Sequence, residues 1–167
     1  MSVTIRPAQR KDAHALYEMI LALARYEKEE VRVKVTPFDL SLQLGSDTPP
    51  FECLIAESNG KQCGFALYYF AYSTWEGKQT LYLEDLFVYP QYRREGVGAA
   101  LMSALAEVAR EKDCRRFEWS VLDWNEPAIK FYEKIGAKPV SGWTRFRLEG
   151  GELEELVTGE SAVISGT

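Results

Sequence analysis

Hydrophobic and polar positions divide the chain into short alternating runs and longer stretches with helical spacing. Val3-Thr4-Ile5-Arg6 alternates and stops at Pro7, which predicts a first strand. Ala13, Leu16, Tyr17, Ile20 and Ala24 recur at spacings of three and four, and Asp12 stands where it could cap their helix. Thr36-Pro37-Phe38-Asp39 predicts a second helix start: threonine caps, proline takes the first helical position and aspartate faces the positive helix end. Gly45 is placed to stop that helix. Strands are predicted over Phe51–Ser58 and Gln62–Tyr72, joined by an Asn59-Gly60 hairpin turn, and a third over Thr80–Val88 after a break at Trp75–Lys78. Val97, Ala100, Leu101, Ala104, Leu105 and Val108 mark an amphipathic helix. Phe117–Leu122 reads as a strand, Asn125-Glu126-Pro127 opens a short helix that Gly136 closes, and Trp143–Leu148 reads as a last strand. From Gly159 the tail has little pattern and is expected to be mobile.

The order βααβββαβαβ, without a repeat or a linker, predicts a single α/β domain over residues 1–158: a mixed sheet with helices against its faces. Its 167 residues suffice for one core without staples. No apolar run approaches the ~18–20 residues that span a bilayer, and the first ten residues lack a signal-peptide layout, so a cytoplasmic location is expected. Cys53, Cys63 and Cys114 lack metal-ligand spacing, so neither a disulfide scaffold nor a metal is expected. The sole histidine, His14, leaves little room for a Ser-His-Asp or Cys-His mechanism. A net charge of −5 argues against nucleic acid as a partner.

The segment Leu81–Ala99, LYLEDLFVYPQYRREGVGA, carries the chemistry. An apolar strand ends at Val88, Pro90 blocks its continuation, and a loop with Arg93, Gly96 and Gly98 leads into a helix. Glycines let backbone N–H groups approach an anion, the helix start adds partial positive charge, and Arg93 and Arg94 can add charge-assisted hydrogen bonds. This suits a phosphate or pyrophosphate, although the same glycines could serve only tight packing of strand, turn and helix. Glu84 and Asp85 interrupt the apolar strand, where ionised carboxylates cost several kcal/mol unless paired, bonded or wet. Pleating predicts that they point to opposite faces and do different jobs. By pattern alone Tyr132, beside Phe131 and three residues after Ile129, reads as a packing aromatic before it reads as a reactive one.

The strand YLEDLFV, the block PQYRREGVGA and the later WNEPAIKFYEKIGA resemble the acetyl-CoA-binding core of the GCN5-related N-acetyltransferases. LARYE at Leu23–Glu27, FALYYF at Phe65–Phe70 and Gly142-Trp143 resemble the diamine (spermidine/spermine) acetyltransferase branch. The resemblance spans roughly Val3 to Leu148 and implies a bulged strand splayed from its parallel neighbour, with acetyl-CoA as co-substrate. Backbone groups of Leu86, Phe87 and Val88 would hold the pantetheine arm and polarise the thioester. Arg93, Arg94, Glu95, Gly96, Val97, Gly98 and Ala99 would cradle the pyrophosphate, with Asn125, Glu126, Pro127 and Ala128 further along the cofactor. At position 94 many relatives carry a small residue where this chain has Arg.

The same resemblance makes Tyr132 the general acid for the departing thiolate and Glu84 the base, acting through water on an amine of pKa near ~10. Tyr26, Glu27, Asp85 and Trp143 would contact the amine, although Glu27 also opens what is otherwise a solvated charge run. Before Gly142 only Lys138-Pro139-Val140-Ser141 stands where polyamine enzymes carry a longer acidic segment, which favours a diamine or a lysine-like amino acid. Direct transfer in a ternary complex and a homodimer follow from the resemblance. Two other readings stand beside it: a protein lysine or N-terminal acetyltransferase, and a silent CoA-binding module.

Overall fold

The structure, a computed structural model, describes residues 2–159; the tail reading therefore falls mostly outside the described residues. The described residues form two compact units, one up to Trp124 and one from Asn125. The first unit runs β1 (Val3–Pro7), α1 (Ala13–Tyr26), α2 (Pro37–Leu44), β2 (Glu52–Ser58), β3 (Lys61–Ser73), β4 (Lys78–Val88), α3 (Val97–Glu111) and β5 (Arg116–Trp119). The five strands lie in sequence order; β1 to β4 are antiparallel neighbours and β5 runs parallel to β4. The α/β class and mixed sheet agree with the pattern.

Alternation along β2 and β3 sends Cys53, Ile55, Phe65 and Leu67 to one face, where they pack with Phe87 under Leu16 and Met19 of α1 and Leu40 of α2. The intervening Leu54, Ala56 and Ala66 are also buried, so the sheet is covered on both sides. α3 packs against β1, β2, β3, β4 and β5, and buries Val97, Leu101, Met102 and Leu105. Each fully buried aliphatic side chain stabilises the unit by roughly 1.5–3 kcal/mol.

Local chemistry sets the boundaries. Thr36 Oγ1 accepts from the Asp39 N–H at 3.1 Å while Asp39 accepts from the Thr36 N–H at 2.9 Å, a reciprocal cap that fixes the start of α2. Asn59 (φ 52°) and Gly60 (φ 76°) both take left-handed conformations, as the tight β2–β3 turn demands. Asp12 does stand before α1, but its carboxylate does not cap it. Buried at the foot of β1, it accepts two hydrogen bonds from the Arg6 guanidinium at 2.8 Å and one from the Gln9 N–H at 2.7 Å. A buried carboxylate satisfies a forked cation better than it satisfies a helix end.

The second unit contains α4 (Glu126–Lys134) and α5 (Gly150–Thr158). α4 opens as expected, with Asn125 Oδ1 accepting from the Ala128 N–H at 3.4 Å and Pro127 in the first turn. One expectation fails and one element was not foreseen. Trp143–Leu148 is not a strand; among the described residues this unit has no strand with which it could form a ladder, and Phe146 is 91% exposed. Gly150–Thr158, which the pattern left unassigned, is a helix whose two leading glycines masked the Leu153, Leu156, Val157 spacing. β5 is also shorter than predicted, because pairing with β4 ends at Trp119.

Gly64 faces Val88 across the β3–β4 ladder so closely that a Cβ would lie 2.7 Å from the Phe87 carbonyl oxygen and 3.2 Å from Val88 Cγ2. Backbone cannot yield as a flexible side chain does. Gly64→Ala is expected to lower unfolding free energy by about 2–3 kcal/mol. Urea titration checks this, and an unchanged midpoint would show that the strands are free to part there.

Candidate active site

The site grows from an irregularity in β4. Leu67 pairs with Asp85 and Tyr68 with Leu83, so Glu84 has no partner on β3 and forms a bulge. On its other edge β4 pairs with β5 only from Thr80 to Leu83. From Glu84 to Val88 the strand therefore runs on without its parallel neighbour. That is the splayed edge the resemblance implies, and it leaves backbone groups of β4 unclaimed by β5.

The bulge also changes where the acids go. Regular pleating would separate Glu84 from Asp85, but both line one cleft of about 460 Å³, together with Glu27 and Glu29 from the end of α1 and the turn after it. The expectation of opposite faces is thus corrected. Burial pushes the Asp85 carboxyl up to about 7, reinforced by the charges of Glu84 and then Glu27. Burial, followed by Glu29, also raises the Glu27 carboxyl. Glu27 is therefore part of an acidic cleft rather than of a merely solvated charge run. Arg32 and Lys34, which the sequence did not single out, line the same cleft.

Beyond β4, Pro90–Tyr92 makes a single 3-10 turn, and the chain reaches α3 through Arg94 (φ 74°) and Gly96 (φ 79°). Gly96 is the N-cap, with open space where a Cβ would lie, and the first N–H groups of α3 start beside it. Arg94, Glu95, Gly96 and Ala99 are exposed, Gly98 is half-buried and Val97 is buried. Arg94 sits in a conformation that costs a non-glycine residue about 1 kcal/mol, and it has no ion pair among the described residues. Arg93 behaves differently: its Nε–H donates to the Val88 carbonyl at 3.0 Å, and its guanidinium lies 5.5 Å from the Tyr26 ring and 5.9 Å from the Phe87 ring. It braces the loop against the strand end. Trp124 extends the cluster, 5.8 Å from the Tyr26 ring with Lys28 Nζ 5.1 Å above it, and no motif had marked it.

Leu86, Phe87, Val88, Arg93 to Ala99, Tyr26, Glu27, Glu84 and Asp85 all belong to the first unit. Asn125, Glu126, Pro127, Ala128, Tyr132 and Trp143 belong to the second. There Asn125 is buried, Tyr132 is half-buried on α4 with its ring 5.5 Å from that of Phe131, and Trp143 is 75% exposed. Among the described residues no helix is long and apolar enough to cross a membrane.

Residues 13–137 match the Acetyltransferase (GNAT) family. A thialysine N-epsilon-acetyltransferase of Sus scrofa is 40% identical over 166 residues, covering 93% of this chain and 97% of its own. A spermidine/spermine N(1)-acetyltransferase-like protein of Homo sapiens is 36% identical over 91% of this chain, which spans 23% of that protein. Among solved structures, an integron cassette protein from the mobile metagenome of V. cholerae superimposes with a TM-score of 0.79 at 30% identity, covering 94% of this chain and 98% of that one.

The raised Asp85 carboxyl has a consequence for stability. The folded state favours the protonated acid, so this stability is fully present below the ordinary value of 3.8 and is lost as pH rises through about 7. Asp85→Asn is expected to be more stable than the parent by about 1–3 kcal/mol at pH 8, with the difference vanishing towards pH 4. Denaturation midpoints measured across that range would expose a solvated Asp85 as a flat difference.

Proposed function

Because the chain belongs to the acetyltransferase (GNAT) family, we propose that it transfers the acetyl group of acetyl-CoA to the primary amine of a small lysine-like molecule. The observation that carries this reading is the acidic cleft formed by Glu84, Asp85 and Glu27 at the point where β4 leaves β5. Relatives named for thialysine acetylation, in pig and in Caenorhabditis elegans, support a free amino acid over a peptide acceptor.

The residues present fit acetyl-CoA. Backbone groups of Leu86, Phe87 and Val88 line the splayed edge, the start of α3 after Gly96 offers N–H donors with a positive helix end, and Arg94 adds an exposed cation. Asn125, Glu126, Pro127 and Ala128 are the further cofactor contacts of the proposal. Bound there, acetyl-CoA supplies an activated acetyl group. The protein's own work is proton management. The acceptor arrives as an ammonium ion, which the cleft's carboxylates attract, and it must lose a proton before its nitrogen can act as a nucleophile. Glu84 takes that proton through water, with Asp85, held near neutral pH, as a matched neighbour able to relay it. Tyr132 is the acid: its phenol donates a proton to the departing thiolate. Tyr26 and Trp143 complete the amine contacts. Direct transfer in a ternary complex, a single domain over residues 1–158, and a cytoplasmic homodimer belong to the same proposal.

Release of free CoA thiol tests the reading, with putrescine, spermidine, spermine, lysine, thialysine and a lysine peptide as acceptors. A free amine is expected to outperform the peptide; the reverse order would transfer the activity to proteins. Tyr132→Phe should lower kcat by about 10²–10⁴-fold while acetyl-CoA affinity stays within a factor of two. A full rate would remove Tyr132 from catalysis. Arg94→Gly separates charge from backbone: stability should hold or rise by up to about 1 kcal/mol, while the Kd for acetyl-CoA rises about 3–10-fold. Calorimetry reads both, and an unchanged Kd would leave Arg94 without a ligand role.

A further inference from the structure

The cleft carries both signs of charge. Glu84 and Asp85 come from β4, Glu27 and Glu29 from the end of α1 and the turn after it, and Arg32 and Lys34 from the segment leading from Glu30–Arg32 to α2. Val33 is extended (φ −73°, ψ 118°), and residues two apart on extended backbone share a side. Val33 and Val35 are half-buried while Arg32 and Lys34 are exposed. Neither cation is committed. The contact from Arg32 to Glu29 is 3.8 Å long between side chains 60% and 53% exposed, too loose to occupy a guanidinium. Lys34 has no ion pair among the described residues. The volume of about 460 Å³ lies within the range of small-molecule sites, roughly 300–1,000 Å³.

A diamine or polyamine is cationic at every nitrogen. With one ammonium at Glu84 and Asp85, its other nitrogens would share the cleft with Arg32 and Lys34, and like charges would oppose them. An amino acid with an amine-bearing side chain has the complementary layout. Its side-chain ammonium matches the β4 carboxylates, its α-carboxylate matches the guanidinium and the lysine, and Glu29 stands beside Arg32 for the α-ammonium. We propose that Arg32 and Lys34 read the α-carboxylate of the acceptor and so select a basic amino acid over the corresponding diamine. The inference deepens the proposed function and rests on the reading that this cleft takes the acceptor.

The test compares thialysine with 2-(2-aminoethylthio)ethylamine, the same molecule without its carboxylate, on the parent, Arg32→Gln, Lys34→Gln and the double variant. CoA release gives kcat/KM, and calorimetry on the CoA-bound protein gives Kd. The parent should prefer the amino acid. The double variant should lose about 10–100-fold in kcat/KM for it, mostly through KM, with a parallel rise in Kd. Its efficiency with the diamine should rise, which also reports that the variant is folded. An unchanged ratio between the two acceptors, or a parent that treats them alike, would overturn carboxylate selection and leave acetyl transfer standing. Absence of both binding and turnover with either amine in the parent would overturn the acceptor cleft itself, and this inference with it.

Discussion

A single residue without a ladder partner, Glu84, organises the functional end of the sheet. Inserting one residue into β4 opposite Leu67 and Tyr68 bends the strand and resets its side-chain alternation. Two results follow within five residues. The parallel pairing with β5 ends at Leu83, which opens an edge from Glu84 to Val88, and Asp85 joins Glu84 in one cleft instead of being sent to the opposite face. An open backbone edge suits an extended, amide-containing arm, and adjacent carboxylates suit an ammonium. The bulge places the two needs side by side. Gly64 keeps the rest of β4 in register beyond it, because only a residue without a side chain allows β3 to approach Phe87 and Val88 so closely.

Electrostatics explains why the cleft stays selective. Burial raises the cost of ionising a carboxylate, and the neighbouring carboxylates add repulsion, which is why Asp85 is held up to about 7. A protein gains nothing in stability from this arrangement, and the benefit comes only with a cationic partner. On the proposed reading, the two cations of the same cleft then decide which amine enters. Arg32 and Lys34 keep the cleft from being uniformly negative and so from being an indiscriminate polyamine trap.

Much of this was legible because local rules and packing agree over most of the first unit. The reciprocal cap at Thr36 and Asp39, the Asn59-Gly60 turn and the helical spacing from Val97 each appear where the pattern puts them. The misses share a cause: they depend on partners that spacing does not reveal. Trp143–Leu148 has strand-like composition but no ladder in its unit, β5 stops where pairing stops, and Asp12 prefers the Arg6 guanidinium to the helix end it precedes. The bulge itself came from resemblance, and its effect on Glu84 and Asp85 escaped a rule that assumes regular pleats. Arg32 and Lys34 were invisible because two cations in a connecting segment look like ordinary surface.

The residues that depart from local preference are not scattered. Among the described residues, four non-glycine residues have positive φ. Lys28 and Asp113 lie just beyond the ends of α1 and α3, and Asn59 lies in a hairpin, all positions where a left-handed residue terminates or turns the chain. Arg94 follows the single 3-10 turn Pro90–Tyr92 and its C-cap Arg93, and it also lies just before α3, in a loop where glycine would relieve the backbone. Add the bulged Glu84 and the half-buried acid Asp85, and the costly choices crowd into eleven consecutive residues between the splayed strand and the start of α3. Core packing accounts for none of them, since each could be replaced by a residue that folds more comfortably. On the proposed reading each supplies a charge or a backbone group to a ligand, and this is how strain concentrated in one segment distinguishes a binding site from an imperfect fold.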